Sequence, residues 1–194
     1  MLLPALQRGC LIAVLLLGGH AVHPAPPARG TGRDIAAFAL SFEGVQEKGA
    51  NNTDHGGPID AWHKMWGFLS PVPWCGIAVG AWHVGAGVPR SNIPESPAWS
   101  PSWSKGRQVY YTIGQSNLGR LSVREGSTGT LYYRSLGRVG HVFLILKDMG
   151  RSVETIEGNT GAVDGSRETV SGRDGVFRKW RRKSSLYSVG YFGL

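Results

Sequence analysis

Cysteine and histidine are the residue types in this sequence that could together provide a nucleophile and a base. A cysteine reacts as its thiolate, and a helix N-terminus or a neighbouring imidazolium lowers the thiol pKa and favours that form. Cys75 follows Pro71 and Pro73 and opens a run of small and apolar residues that ends at Trp82. This run predicts a tightly buried helix with Cys75 at its N-terminus. Cys75 is therefore the candidate nucleophile, and the alternative is a small buried core side chain.

The N-terminal residues have the pattern of a secretory signal peptide. Arg8 precedes an apolar run at 11–17, and small and proline-rich residues follow. The run is much shorter than the ~20 residues that a membrane-spanning helix needs, which favours a cleaved signal over an uncleaved N-terminal anchor. We expect residues 1–28 to be signal peptide and spacer, with cleavage near Ala21 or Ala28. The protein is then secreted, periplasmic or associated with the cell wall, without stable membrane insertion after cleavage.

Export changes the meaning of the two cysteines. Cys10 lies in the expected signal, so Cys75 is the one thiol of the expected mature chain and has no cysteine to pair with. An unpaired cysteine in an exported protein is open to oxidation, and catalysis is one of the few reasons to keep it. The folded domain is expected at residues 31–194.

His141 is the best candidate for the base among the six histidines of the chain. It follows Gly140 at the start of the most apolar strand candidate, where a polar ring needs a partner. The other histidines fall in or beside the expected signal, in a loop or in helical segments, where solvated or packed roles are the default.

A predicted hairpin supplies a partner for this histidine. If the strands on either side of the turn at 148–151 pair, His141 lies opposite Glu157 or Gly158. Because side chains alternate along a strand, Asn159 shares the face of Glu157. The sequence thus predicts a nucleophile, a base and an orienting group, with Glu157 and Asn159 as alternatives for the last. The competing interpretation is a purely structural contact between a histidine and a carboxylate.

Helices are predicted before strands along the chain. Thr31 and Asp34 resemble a capping box ahead of an amphipathic helix at 32–47, and a second helix begins at Pro58. After the third helix comes an irregular loop at 87–105, rich in proline, serine and tryptophan. Strand candidates lie at 107–113, 130–134, 141–147, 152–158, 175–182 and 186–192. This order indicates an α+β fold in which N-terminal helices pack on an antiparallel β-sheet.

Composition and charge limit the class of protein and of partner. A chain of 194 residues with 41% hydrophobic and 18% charged residues favours one ordered domain, and we expect a monomer. The net charge is +8, and a dense basic run lies at 178–183. For an exported protein this run favours an anionic cell-wall polymer over nucleic acid as the partner. The alternative is a solvated strand face.

We expect no metal and no other cofactor. Asn51, Asn52, Asp54 and Asp60 offer oxygen atoms that calcium accepts, but their spacing matches no calcium-binding loop. A single mature cysteine with scattered histidines lacks the ligand spacing of a zinc site.

Three motifs resemble those of the CHAP family, the cysteine- and histidine-dependent amidohydrolases and peptidases related to NlpC-type cell-wall hydrolases. The motifs are Pro73-Trp74-Cys75, Gly140-His141-Val142 and Glu157-Gly158-Asn159. The segment from Glu43 to Asn52 and the strand from Asp174 to Arg178 extend the resemblance, which covers most of residues 35–183.

The resemblance implies a papain-like fold with Cys75 as nucleophile, His141 as general base and Glu157 or Asn159 as the orienting group. Trp74, which precedes Cys75 in the nucleophile motif, is the candidate substrate-binding residue. The implied substrate is bacterial peptidoglycan, cut by an endopeptidase or an N-acetylmuramoyl-L-alanine amidase. The alternatives are a non-catalytic wall-binding module of the same fold and an exported cationic protein that binds nucleic acid or membrane.

The chain departs from the family pattern in two places. Many relatives have an acidic residue in the strand ahead of the histidine motif, and none occurs at 129–133. The insertion between Trp82 and Tyr110 is long and rich in tryptophan. Two of its tryptophans, Trp99 and Trp103, either line a substrate groove or anchor the loop in the core.

Overall fold

A computed structural model describes residues 30–48, 51–115, 121–161 and 173–194 of the chain. The expected signal peptide and spacer lie outside these ranges. Within them three α-helices precede a six-stranded antiparallel sheet, and the fold is α+β as predicted. The helices are α1 (Gly32–Leu40), α2 (Pro58–Met65) and α3 (Cys75–Gly85), and the strands are β1 (Val109–Thr112), β2 (Thr128–Tyr133), β3 (Arg138–Asp148), β4 (Ser152–Thr160), β5 (Gly175–Arg182) and β6 (Ser188–Gly190). No helix in the described ranges is long and apolar enough to cross a membrane.

Helix α1 begins where the sequence predicts and ends earlier. The capping box of Thr31 and Asp34 is present. The helix stops at Leu40 rather than 47, because the following residues bond to a strand instead. The backbone N–H of Gly44 donates to Val176 of β5, and the N–H of Val176 donates to Val45. The segment after α1 is therefore held at the outer strand of the sheet.

Helix α3 is the central helix of the molecule. Its first nine residues are all buried, as expected for a helix that is small and apolar on every side. Its N-terminus lies very close to β4 at Gly158, where an added Cβ would come within 2.6 Å of the Trp74 ring. Since only glycine permits this approach, Gly158 fixes where the start of α3 sits on the sheet.

The sheet has the strand order β1-β6-β2-β3-β4-β5 and separates two apolar clusters. Side chains alternate along β3, so Val142 and Leu144 pack on the helical side. Phe143 and Ile145 pack on the other side. The apolar run after His141 thus serves two cores at once.

The register between β3 and β4 differs from the predicted one. Leu144 pairs with Ile156 and Ile145 with Thr155, a shift of one to two residues, and the ladder is irregular between Ile145 and Lys147. The prediction that Glu157 or Gly158 lies opposite His141 was therefore wrong. Continuation of the observed register puts Glu157 diagonal to His141 on the same face, which is still within reach of long side chains.

Candidate active site

A cleft of about 670 Å³ opens where the start of α3 meets β3. Cys75, His141 and Asn159, three of the predicted site residues, line it. Its other walls are largely apolar and aromatic, and include Trp66, Phe68, Val72, Pro73, Pro97, Ala98, Trp99, Tyr133 and Leu136. The cleft therefore joins a reactive thiol to a surface suited to an extended substrate.

Cys75 is the first residue of α3 and is 5% exposed. Its Sγ lies 3.8 Å from the hydroxyl oxygen of Ser100. Burial raises the pKa of the Cys75 thiol, but a hydrogen bond and positive charge from His141, the backbone N–H of Val142 and the Ser100 hydroxyl outweigh it. The pKa of Cys75 consequently lies below its ordinary value, which favours the nucleophilic thiolate.

His141 connects the thiol to a carboxylate. Its Nε2 lies 2.9 Å from Oε2 of Glu157, which leaves Nδ1 to face Cys75. Burial lowers the pKa of His141, but hydrogen bonds and charge interactions with Cys75 and Glu157 raise it to about 9. The lowered pKa of Cys75 and the raised pKa of His141 both favour a thiolate–imidazolium pair.

Glu157 is completely buried, and both oxygens of its carboxylate accept hydrogen bonds. Oε1 accepts from Thr155 Oγ1 at 2.7 Å and from Arg181 Nε at 2.8 Å. Oε2 accepts from Arg181 Nη2 at 2.7 Å as well as from His141. Burial raises the pKa of Glu157, but Arg181 and His141 outweigh it and hold the pKa far below its usual range. A buried, fixed anion therefore orients the imidazole.

Asn159 bonds to the start of α3. In the amide orientation that satisfies both neighbours, its oxygen accepts from the backbone N–H of Trp74 at 3.0 Å and its nitrogen donates to Asp174 at 3.2 Å. Its φ of 57° lies in the left-handed region, which asparagine tolerates better than most residues. Of the two predicted orienting groups, Glu157 contacts His141, and Asn159 holds the helix that carries Cys75.

The expectation that Trp74 contacts substrate requires correction. The Trp74 side chain is completely buried and does not line the cleft. Its indole N–H donates to Oε1 of Glu47 at 2.9 Å. Trp103 is also buried and donates to the carbonyl of Pro97 at 2.9 Å, whereas Trp99 is 51% exposed and lines the cleft. Of the two loop tryptophans, Trp99 therefore lines the cleft and Trp103 anchors the loop in the core.

Ser100 and Arg181 are site residues that the sequence reasoning missed. Ser100 lies in a loop with several serines, and no local pattern distinguishes it. Arg181 does have a signal, because it stands opposite Val153 in the β4–β5 ladder and therefore on the face of Glu157. Reading β5 by alternate residues would have placed this arginine on the same face of the sheet as the carboxylate, although not directly opposite it.

The basic run at 178–183 is largely neutralised within the fold. Arg178 pairs with Glu43 at 2.9 Å, Arg181 with Glu157, and Lys183 with Asp148 at 2.8 Å. These pairs neutralise three of the five basic residues in the run, whereas Arg182 is exposed.

The acidic loop before α2 has a structural role. Asp54 accepts hydrogen bonds from the backbone N–H groups of Ile59 and Asp60 at the start of α2. Asp60 accepts from Thr53 and from the N–H of Gly56. Among the residues that the structure describes, no group of three or more His, Cys, Asp and Glu side chains could hold a metal ion.

The cleft therefore presents a thiol with a lowered pKa at a helix N-terminus, an imidazole with a raised pKa, a fixed carboxylate and a nearby hydroxyl. This set can attack a carbonyl carbon and protonate a leaving group. Comparison of the chain with protein-family models, with curated proteins and with solved structures found no match.

Proposed function

We propose that this protein is a cysteine hydrolase that cuts amide bonds by acyl transfer. The observation that carries the proposal is the position of His141, which bonds to Glu157 through one ring nitrogen and faces Cys75 with the other, inside an open cleft. A purely structural histidine–carboxylate pair would not need an unpaired thiol beside it or access to the cleft.

The reaction proceeds in two steps. The Cys75 thiolate attacks the amide carbonyl carbon and forms a C–S bond, and the electron pair moves to the oxygen. His141 then gives its Nδ1 proton to the leaving amine as the C–N bond breaks, which leaves a thioester. Water attacks the thioester carbonyl carbon while His141 takes a proton from it, and the C–S bond then breaks, which releases the acid product and regenerates the Cys75 thiolate beside the protonated His141.

The tetrahedral intermediate needs hydrogen-bond donors for its oxyanion. The first N–H groups of a helix have no partner within it, and they carry the positive end of the helix dipole. Cys75 begins α3, so its own N–H is such a donor. The Ser100 hydroxyl, 3.8 Å from Sγ, is a second donor close to the reacting carbon.

The motifs that resemble the CHAP family support a papain-like arrangement and peptidoglycan as the substrate. Two reactions fit: an N-acetylmuramoyl-L-alanine amidase cuts between glycan and stem peptide, and an endopeptidase cuts within or between stem peptides. In both cases the protein works outside the cytoplasm, secreted or at the cell wall, as the signal-like N-terminus predicts.

Zymography on purified cell walls tests the proposal. We expect the parent protein to clear the gel and Cys75→Ala to leave it opaque, because the variant lacks the nucleophile. A thermal melt of each protein verifies that the variant is folded. Equal clearing by both proteins would show that Cys75 is not the nucleophile. Binding to walls without clearing by either would indicate a wall-binding module.

Mass spectrometry of the released fragments identifies the bond. An amidase releases intact stem peptides with a free N-terminal amine, whereas an endopeptidase leaves truncated stems attached to the glycan. The same digest made with Cys75→Ala supplies the background.

A further inference from the structure

Arg138 lies on the wall of the cleft, and we infer that it binds a carboxylate of the peptide substrate beside the scissile amide. This inference rests on the proposed function, since it names the kind of peptide that the hydrolase prefers. Three observations support it. Arg138 lines the cleft, its guanidinium is held by Trp99 and a backbone carbonyl, and no carboxylate of the described residues pairs with it.

An irregularity in β3 brings Arg138 to the side of the nucleophile. Leu131 of β2 pairs with His141 and Tyr132 pairs with Val139, so β3 has one extra residue at Gly140. Residues three apart point to opposite faces in a regular strand, and one extra residue changes that relation. Arg138 and His141 accordingly both line the cleft.

The guanidinium of Arg138 is held but not neutralised. It lies over the Trp99 ring at 4.4 Å, and Nη1 donates to the carbonyl of Val139 at 3.0 Å. Throughout the described ranges, no carboxylate comes within ion-pairing distance of it, in contrast to Arg178 and Arg181. Stacking on a ring face uses the plane of the guanidinium and leaves its edge, where the N–H donors point, for a ligand.

A carboxylate is the ligand that fits this group best. A planar, pre-oriented guanidinium donates two parallel hydrogen bonds to a carboxylate, and a neutral carboxamide cannot accept both of them. Peptidoglycan stem peptides contain free carboxylates close to their amide bonds, and the same positions can be amidated. The protein is therefore expected to prefer stems with free carboxylates over amidated stems.

Arg90 provides a matched control for Arg138. It also stacks on a tryptophan, with its guanidinium 4.2 Å over the Trp66 ring, and it also donates to one backbone carbonyl, that of Met65. It does not line the cleft of Cys75. Replacing it removes an arginine that is held in the same way on a tryptophan of the cleft wall, while Arg138 stays in place.

Calorimetric titration of Cys75→Ala with two synthetic stem peptides tests the inference without turnover. One peptide has free carboxylates and the other has carboxamides in their place. We expect the first to bind roughly tenfold tighter or more, as typical of hydrogen bonds to a charged group. Adding Arg138→Gln should abolish the difference, Arg138→Lys should retain part of it, and Arg90→Gln should leave it unchanged.

Three results would overturn the inference: equal binding of the two peptides, a preference that survives Arg138→Gln, or no binding of either peptide. Cleavage assays with Cys75 intact distinguish a failure of the Arg138 inference from a failure of the proposed hydrolase function. Cleavage of both peptides at equal rates would leave the hydrolase intact and refute the role of Arg138. If neither peptide nor cell wall is cut, the proposed function fails. The titration still shows whether Arg138 binds a carboxylate, because it does not depend on turnover.

Discussion

At the residue scale, the reactivity of Cys75 depends on a charge that lies beyond its histidine. The thiolate–imidazolium pair exists between the pKa of Cys75, which lies below its ordinary value, and that of His141, which is about 9. Glu157 is one of the groups that raise the latter. The pH dependence of kcat/KM should therefore be bell-shaped, with its alkaline limb governed by His141 and sensitive to the charge of Glu157.

Glu157→Gln removes that charge and keeps the size of the side chain. We expect the alkaline limb of kcat/KM to move to lower pH, because the imidazolium loses a stabilising anion. The maximum should fall roughly tenfold to a hundredfold. Hydrolysis of a soluble stem peptide across the pH range supplies both values.

Glu154→Gln is the matched control for this change. Glu154 also lies on β4, but it is partly exposed and pairs with Arg178 at 3.6 Å, outside the site. Its profile should match that of the parent protein. An alkaline limb that stays in place in Glu157→Gln would refute the proposed coupling between the carboxylate and the histidine.

At the element scale, β5 supports the site rather than presenting charge to a partner. Lys179 and Arg181 alternate with exposed Trp180 and Arg182, as the two-residue period of a strand requires. The residues of the dense basic run therefore alternate between an inward face and an exposed face of β5. The inward set includes the arginine that holds the orienting carboxylate of β4.

Arg181→Gln should destabilise the protein much more than the same change at Arg178. It leaves the buried Glu157 without its bidentate partner, and removing one member of a buried pair costs about 3 kcal/mol or more. Arg178 pairs with Glu43 where both side chains are well exposed, and such pairs contribute about 1 kcal/mol or less. Urea unfolding of both variants measures the two costs. Equal costs would argue against Arg181 as the group that keeps Glu157 ionised.

At the scale of the whole molecule, the order of elements was predictable and their register was not. The starts of the three helices follow from a capping box, a proline and a run of small residues, and all six strands appear near their predicted positions. The β3–β4 register already differs at the turn, where Asp148 pairs with Val153 and the N–H of Met149 donates to Ser152, and an irregularity near Leu146 shifts it again by one residue. The end of α1 was missed because its next residues bond to a strand far along the chain, at Val176.

Some residues of the candidate site were predictable from the sequence, and the roles of others were not. Cys75 and His141 stand out in the sequence because each is a polar residue at the edge of an apolar run. The orienting role of Glu157 and the helix contact of Asn159 could not be separated, because that choice depends on where α3 lies against β4. Trp74 was misjudged for the same reason, since proximity to the nucleophile along the chain does not place a side chain in the cleft.

Cys75, the proposed nucleophile, lies on the helical layer, and His141, its proposed base, lies on the sheet. The lowered pKa of the thiol therefore requires that the two layers are joined. This predicts an unusual response to unfolding. At pH 6 an ordinary, unfolded cysteine is almost entirely protonated, whereas the native Cys75 has a lowered pKa. Alkylation of Cys75 by iodoacetamide at pH 6 should therefore become slower as urea unfolds the protein, although the thiol becomes more accessible.

Mass spectrometry of the peptide that contains Cys75 measures this rate separately from that of Cys10, and the fall should coincide with the loss of circular dichroism. In His141→Gln the native thiol is buried without its imidazolium, and burial favours the protonated form. Unfolding should then accelerate alkylation instead. The same acceleration in the parent protein would mean that Cys75 is an ordinary buried thiol, and that joining the helical layer to the sheet does not activate it.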